Sequence, residues 1–245
     1  MRWNGRQGRP YAPQVSAGPL YPTWIRSVRI KTFWLVAAGI LAVALGAWLL
    51  WRPGLAVGLL ALPFLYIALV ITLSSYRLSP GGDDLQAQIH RLLIERVGSE
   101  GRLLDVGCGS GELLIRCAKA SPGEYVGIDF WPREWGEYSR ELAQRNALLE
   151  GADGVVFVQG TASNLPFRDE RFERVVSSLT FHEVRDQADR TEGLVEALRV
   201  LDHGGRFAFV DLFDDPAFYG SRQRVLDVIR TAGGEWSQLG RSPTS

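Results

Sequence analysis

The stretch LLDVGCGSG, residues 103–111, decides the fold of this chain. A short apolar run that contains Asp105 leads into three alternate glycines, Gly107, Gly109 and Gly111. Glycine lacks Cβ, so it admits the positive φ of a tight strand-to-helix turn and the close approach of a ligand to the main chain. A helix expected over residues 112–120 then offers free N–H groups at its start. The stretch therefore predicts a strand, a ligand-binding loop and a helix.

The same residues disfavour a dinucleotide site. The fingerprint G-x-G-x-x-G requires a glycine where this chain has Glu112. A carboxylate at that position would stand where a pyrophosphate rests on the helix N-terminus. We therefore do not expect NAD or FAD.

The pattern D-x-G-x-G-x-G at the end of a first strand resembles motif I of the class I S-adenosylmethionine (SAM)-dependent methyltransferases. Within that class, the chain resembles the methyltransferase domains of types 11 and 25. Four later blocks follow in the order and spacing of strands two to five of that family: EYVGIDFW (124–131), VVFVQGTASNLPF (155–167), FERVVSSLTFHEV (172–184) and ALRVLDHGGRFAFVDLF (197–213). The resemblance covers residues 84 to about 232. It implies a Rossmann-like fold with SAM as cofactor and says almost nothing about the methyl acceptor.

Hydrophobic periodicity predicts alternating strands and helices, which specify a doubly wound, mostly parallel α/β sheet with helices on both faces. We expect strands at 103–106, 125–129, 155–158, 174–178 and 206–211, and helices at 84–97, 112–120, 133–149, 187–201 and 216–232. The polar tail 235–245 is too short for a final strand pair. Either the sheet is shortened at this edge, or another chain or the membrane completes it.

Composition indicates a membrane anchor before this domain. Lys plus Arg and Asp plus Glu number 27 each, which gives no reason to expect nucleic acid as a partner. Residues 1–32 read as an irregular basic tail, and residues 33–51 and 55–73 each run without a charge. Nineteen helical residues span roughly the 30 Å of a bilayer core, so we predict two transmembrane helices with Pro63 kinking the second. A cleaved signal peptide is the less favoured alternative.

The distribution of basic residues predicts how the two transmembrane helices are oriented in the membrane. Six basic residues precede the first span and only Arg52 lies between the spans, so the positive-inside rule places both termini and the catalytic domain in the cytosol. A linker at 74–83 then joins the hairpin to a SAM-binding domain at 84–234. We expect an integral protein of the cell membrane.

The resemblance implies roles for the residues at the strand ends. The loop from Gly107 to Gly111 would lie under the methionine and ribose of SAM, Asp129 would hold the ribose hydroxyls, and Phe130 could stack on adenine. Asp105 would order the loop through backbone N–H groups. Many relatives end the third strand Gly-Asp-Ala, where this chain has Gly160, Thr161 and Ala162, so Thr161 would accept from the adenine amino group. Ser178 would close the fourth strand at the same edge.

Methyl transfer needs a base only when the acceptor must lose a proton. His182 and Glu183, just past strand four, are the candidates, with Asp211 a weaker third; a packing role for His182 is equally open. We expect His90 and His203 to be surface or turn residues. Trp131 and Trp135, one turn apart on a helix, could line the acceptor pocket, cover the adenine or pack, and packing is the favoured role. Cys108 and Cys117 are expected to be packing residues, and no metal site is predicted.

These expectations predict a membrane-anchored SAM-dependent methyltransferase. Because the hairpin holds the domain at the membrane surface, we expect a lipophilic small-molecule acceptor such as a quinone precursor, a lipid headgroup or an isoprenoid. The alternative is a membrane-anchored SAM-binding module, or one that has lost SAM, acting as a scaffold or sensor. Thr161 and the short C-terminal region support that alternative. The oligomeric state is left open.

Overall fold

A computed structural model describes residues 18–50, 52–152 and 154–235, and for residues 52–55 and Glu134 it describes the backbone only. Most of the predicted basic tail, residues 1–17, therefore lies outside the described residues, as does residue 51 at the end of the first predicted span. The same holds for residues 236–245 of the predicted polar tail.

Two apolar helices and a connecting 3-10 helix precede the α/β domain. Helix α1 covers Ser27–Leu50, the 3-10 helix Arg52–Ala61 and helix α2 Leu62–Leu78. Pro63 does not kink a helix; it lies in the first turn of α2, where its missing N–H group leaves no bond unmade. Residues 74–78, predicted as linker, continue α2, so only residues 79–84 separate α2 from the next helix.

The hairpin turns its large apolar side chains outward. Its buried residues are small, namely Ala37, Ala44, Ala61 and Ala68, while Leu35 and Leu49 are 72% and 74% exposed. Small residues let two helices approach closely. By length and composition, Ser27–Leu50 and Ala56–Leu78 could each cross a membrane. The two apolar stretches are thus a helical hairpin and not the core of the α/β domain.

The α/β domain alternates strands and helices as predicted. Its helices are α3 Leu85–Val97, α4 Glu112–Ala120, α5 Arg140–Leu149, α6 Glu192–Arg199, α7 Pro216–Tyr219 and α8 Arg222–Thr231. Its strands are β1 Leu103–Val106, β2 Tyr125–Asp129, β3 Val156–Gln159, β4 Phe172–Ser178 and β5 Leu201–Val210.

All neighbouring strands of the sheet run parallel, in the order β3-β2-β1-β4-β5. Leu103 and Leu104 alternate between two hydrophobic cores, one packed by α3, α4 and α5 and the other by α6 and α8. Helices on both faces confirm the doubly wound fold. Within the described residues β5 is the last strand, which agrees with a sheet shortened at this edge.

Three predicted helices are shorter or broken. The helix predicted at 133–149 is a 3-10 turn, Arg133–Trp135, followed by α5, because Ser139 caps α5 by accepting a hydrogen bond from Leu142 N. The helix predicted at 216–232 divides at Gly220 into α7 and α8. The helix predicted at 187–201 begins only at Glu192, and Leu201 already belongs to β5, which starts five residues before its predicted bound.

Candidate functional site

The carboxyl ends of the parallel strands open into one cavity of about 400 Å³, a volume typical of small-molecule sites. Most of the predicted site residues line it: Asp105, Gly107, Gly109, Asp129, Phe130, Thr161, Ala162, Ser178, His182 and Glu183. Gly111 lies outside the lining, because it is the N-terminal cap residue of α4. The sheet topology therefore brings together residues that are up to 78 positions apart (from Asp105 to Glu183).

The glycine loop needs glycine for conformation and for internal packing. Gly107, Gly109 and Gly111 have φ of +77°, +53° and +83°. A Cβ on Gly107 would lie 2.0 Å from Thr180 Oγ1, and one on Gly109 would lie 3.1 Å from the Tyr138 ring. The space left by these absent side chains is thus filled by the protein, and not by ligand as the sequence suggested.

The glycine loop is ordered by Asp129 and not, as expected from the sequence, by Asp105. Asp129, at the end of β2, orders the loop: Gly109 N donates to its Oδ2 at 2.8 Å and Trp131 N to its Oδ1 at 2.7 Å. Each oxygen keeps a second lone pair, so Asp129 can still accept from hydroxyl groups of a ligand. Asp105 is paired in register with Gly127, two residues before Asp129, and faces the backbone N–H of Leu114 on α4 instead of the loop.

Asp105 brings an unsatisfied acceptor to the cavity. It is fully buried, and burial together with the charge of Asp129 raises its pKa to about 8. Across the described residues, no group donates a hydrogen bond to Asp105 Oδ2 or pairs with Ser178 Oγ. Buried polar atoms without partners are rare, and these two belong to residues that line the cavity, so they are suited to a polar ligand.

The end of β3 receives a carboxylate from another loop. Thr161 occupies the position at which many relatives carry aspartate, and its hydroxyl donates to Asp186 Oδ2 at 2.8 Å. Ser163 Oγ donates to the same oxygen at 2.6 Å. These bonds, that from Ser163 foremost, lower the pKa of Asp186, which also lines the cavity. Asp186 thus places a negative charge beside Thr161. The sequence analysis did not predict this residue.

His182 is held as one member of a histidine–aspartate pair. Its Nδ1 lies 2.5 Å from Asp211 Oδ1, and Asp211 Oδ2 accepts from Phe181 N and His182 N. Burial lowers the pKa of His182, but the hydrogen bond to Asp211 and the charges of Asp211 and Glu183 outweigh it, so the pKa is raised above its ordinary value. Asp211, the weaker candidate from the sequence, is therefore the partner that orients His182.

A polar wall on α3 was not expected. Leu92 of α3 is exposed, and the buried residues of this helix are Gln86, Ala87, His90, Leu93 and Val97. His90 is therefore not a surface residue; it lines the cavity and is 3% exposed. Burial lowers its pKa to about 4, so the ring is neutral at pH 7. His203, by contrast, is 90% exposed as predicted.

The aromatic residues after β2 also differ from expectation. Trp131 and Trp135 do not share a helix: Trp131 has a φ of +43° and its indole Nε1 donates to Gly109 O at 2.8 Å. Phe130 is 61% exposed and lines the cavity, which leaves its ring face open to a planar ligand. Cys108 and Cys117 are buried packing residues, as predicted, and burial raises the pKa of both thiols.

Sequence comparisons connect this geometry with known proteins. Residues 104–209 match the methyltransferase domain family. Demethylmenaquinone methyltransferase of Lactiplantibacillus plantarum is 33% identical over 128 residues, which cover 51% of this chain and 48% of that protein. The enzyme of the same name from Deinococcus radiodurans is 36% identical over 117 residues, covering 47% and 44%. The chain thus spans about half the length of these curated relatives.

Solved structures share the fold. The crystal structure of YcgJ from Bacillus subtilis aligns with a TM-score of 0.50 at 25% identity and covers 60% of this chain and 68% of that one. A geranyl diphosphate methyltransferase, solved with GPP and sinefungin, aligns with a TM-score of 0.51 at 18% identity, covering 64% and 63%. The latter likeness concerns the fold alone.

The cavity fits the cofactor of this family. Asp105 offers an unpaired carboxyl oxygen to a polar group, Asp129 can accept from ribose hydroxyls, and Phe130 presents a ring face to adenine. SAM carries no phosphate, which agrees with Glu112 at the start of α4. Residues 104–209 therefore form a class I SAM-dependent methyltransferase domain, and S-adenosylmethionine is its cofactor.

Proposed function

We propose that this chain is a membrane-anchored methyltransferase that methylates a lipophilic, hydroxyl-bearing acceptor such as a quinol, with His182 as general base. The observation that supports this proposal most strongly is the hydrogen-bonded pair of His182 and Asp211. His182 lines the same cavity as the glycine loop. A domain that only sensed SAM would not need an oriented imidazole beside the cofactor site.

Asp211 prepares His182 for proton abstraction. Because Nδ1 lies 2.5 Å from a carboxylate, the ring keeps its proton on Nδ1 and leaves Nε2 as the acceptor. The raised pKa makes Nε2 a better base than a free imidazole and brings its pKa closer to that of an acidic phenol. The buried carboxylate also stabilises the imidazolium that forms after proton transfer.

The proposed reaction balances with one proton released. SAM, when bound, would supply an activated methyl group on its sulfonium; the S–CH3 bond would break, and S-adenosylhomocysteine (SAH) would be the leaving group. His182 Nε2 takes the proton of an acceptor hydroxyl, and the electron pair of that oxygen, or of the ring carbon it activates, forms the new bond to the methyl group. Where carbon is methylated, the ring then loses its own proton and the oxygen regains one. His182 passes its proton to water before the next cycle.

The hairpin supports a membrane location. Helix α1 has 24 residues, about 36 Å of helix, which exceeds the roughly 30 Å of a bilayer core. Many of its large apolar side chains are exposed, and Trp34 Nε1 donates to Thr72 Oγ1 of α2 at 3.1 Å. An apolar surface of this extent on a membrane-length hairpin is typical of contact with lipid.

The charges support a cytosolic orientation. Both ends of the hairpin meet the α/β domain, since Ser27 at the start of α1 donates to Glu137 and α2 leads through residues 79–84 to α3. Basic residues cluster before the first span, so the positive-inside rule places this side in the cytosol. We propose the cell membrane of the producing organism as the location.

The acceptor class is proposed from two sources. The domain lies at the membrane surface, and two relatives bear the name demethylmenaquinone methyltransferase. The membrane location and the names of these relatives both favour a lipid-soluble aromatic acceptor. A SAM-binding sensor is the second candidate, favoured by Thr161 in place of an acid, but Asp186 restores a carboxylate at that position.

Transfer of a labelled methyl group tests the proposal. The full chain in lipid nanodiscs is incubated with methyl-labelled SAM and a membrane lipid extract, and label is measured in the organic phase. We expect label in the lipid fraction, and a rate that falls about 10²- to 10⁴-fold in His182→Ala while SAH affinity changes little. His203→Ala is the matched control and should match wild type. Unchanged turnover in His182→Ala would contradict the assigned base, and label only in soluble metabolites or proteins would contradict the acceptor class.

A further inference from the structure

A segment just before the membrane hairpin lies against the methyltransferase domain. Residues 18–26, here called the strap, run across the domain and enter α1 at Ser27. Trp24 of the strap and Arg29 in the first turn of α1 line the cofactor cavity. Ser27 N donates to Glu137 Oε2 at 3.0 Å, and Ser27 Oγ also bonds to this carboxylate. Residues of the strap and of α1 therefore form part of the cavity wall.

Three polar side chains hold the strap, and each also contacts the glycine loop or the start of α4. Asn146 is completely buried, pairs with both backbone groups of Leu20, and donates from Nδ2 to Ser110 O at 3.0 Å. Gln86 accepts from Trp24 N at 3.2 Å and donates to Glu112 Oε2 at 2.7 Å.

Tyr138 makes the third connection. Its hydroxyl donates to Thr23 O at 2.9 Å, with Pro22 O at 3.2 Å. Its ring lies against Gly109, where an added Cβ would be 3.1 Å from a ring carbon. Gly109 in turn donates its N–H to Asp129. The strap, Tyr138, the glycine loop and Asp129 thus form one continuous chain of contacts.

We propose that docking of the strap positions the glycine loop, and that the affinity for the cofactor depends on this docking. This proposal rests on the proposed function only for the identity of the cofactor. Gln86, Tyr138 and Asn146 are positioning residues in this arrangement. The three come from different elements, yet all reach the loop segment 109–112. Buried amides and carbonyls need these partners, so undocking the strap would leave Asn146 and Gln86 partly unsatisfied beside the loop.

Thermodynamic linkage makes the coupling reciprocal. If the cofactor site requires the docked strap, bound cofactor must also hold the strap in place. The backbone N–H groups of Leu20 and Trp24 donate to Asn146 and Gln86, so they exchange with solvent when the strap leaves the domain. Their exchange rate therefore reports the docked fraction.

Hydrogen exchange of the full chain in nanodiscs, with and without SAH, tests the coupling. At SAH concentrations about 100 times Kd, exchange in peptides covering residues 18–26 should slow by up to about 100-fold. A matched pair of variants tests the reverse direction. Tyr138→Phe keeps the ring against Gly109 but removes the bond to the strap, and should weaken SAH binding about three- to tenfold. Tyr76→Phe, at an exposed tyrosine of α2, should leave it unchanged.

The outcomes separate this proposal from the proposed function. Slower exchange of the strap with SAH, together with weaker binding in Tyr138→Phe, supports the coupling. Unchanged exchange with SAH, or wild-type affinity in Tyr138→Phe, overturns the coupling and leaves the methyltransferase intact. If the wild-type chain binds neither SAM nor SAH, the proposed function fails and the coupling with it.

Discussion

Gly107→Ala tests how the glycine loop is held. Gly107 has a φ of +77°, and a Cβ at this position would lie 2.0, 2.2 and 2.6 Å from Oγ1, Cγ2 and Cβ of Thr180. Thr180 cannot simply rotate away, because its own Cβ is among the overlapping atoms and its hydroxyl donates to Val106 O at 3.1 Å. The loop or the start of the segment after β4 must therefore move.

Two terms set the size of the effect. A left-handed backbone costs a non-glycine residue about 1–2 kcal/mol, and overpacking a tight contact costs about 1–3 kcal/mol more. We expect Gly107→Ala to lower the free energy of unfolding by about 2–5 kcal/mol. Gly204 isolates the first term, because it has a φ of +76° and an added Cβ would meet nothing within 4 Å. Gly204→Ala should cost only about 1–2 kcal/mol.

Equilibrium urea unfolding of the full chain in detergent micelles, followed by circular dichroism, measures both variants. Calorimetry with SAH measures the functional consequence. Displacement of the loop moves Gly109 N from Asp129, so SAH affinity should fall about tenfold or more in Gly107→Ala and stay unchanged in Gly204→Ala. If the two variants unfold within about 0.5 kcal/mol of each other, Thr180 does not brace the loop and the reasoning is refuted.

Three further predictions concern the carboxylates. The pKa of Asp105 is about 8 in the folded protein against 3.8 for an exposed aspartate, so the folded state binds the extra proton and loses stability as pH rises between these values. The unfolding free energy should fall less steeply across pH 4–8 in Asp105→Asn, and an unchanged slope would contradict the assigned burial. Asp129→Ala should weaken SAM binding by about 1.5–3 kcal/mol by calorimetry, and a loss below a few tenths would remove Asp129 from the site. Asp186→Ala should weaken SAM binding about three- to tenfold, with exposed Asp214→Ala as control; equal affinity in both would show that Asp186 does not serve the cofactor.

The sequence predicted the sheet well because its signals are local. Strands of four to seven residues, each containing two or more β-branched or aromatic side chains or leucines, precede Gly107, Phe130 and Leu179, and their alternation with helices leaves a parallel arrangement. The breaks in the two predicted helices at 133–149 and 216–232 also have a local sequence signal, which our prediction did not use. Gly136 and Gly220 precede Ser139 and Ser221, whose side chains cap α5 and α8.

The roles of individual site residues depend on register and on distant contacts, which a single sequence does not reveal. Asp129 lies two residues nearer the cavity edge than Asp105 in the β1–β2 register, and this offset decides which carboxylate reaches the loop. Asp186 reaches Thr161 across 25 positions, and Asn146 reaches Leu20 across 126. Polar residues on the buried faces of α3 and α5, Gln86, His90 and Asn146, were the one available hint that something polar packs there.

Calorimetric titration of the chain of residues 1–245 in nanodiscs with SAM tests most directly whether the cavity beside Asp105 and Asp129 is a cofactor site. We predict saturable binding of one SAM per chain, competition by SAH, and loss of affinity in Asp129→Ala. Absence of any heat of binding from folded wild-type protein, for SAM and SAH alike, would contradict the account.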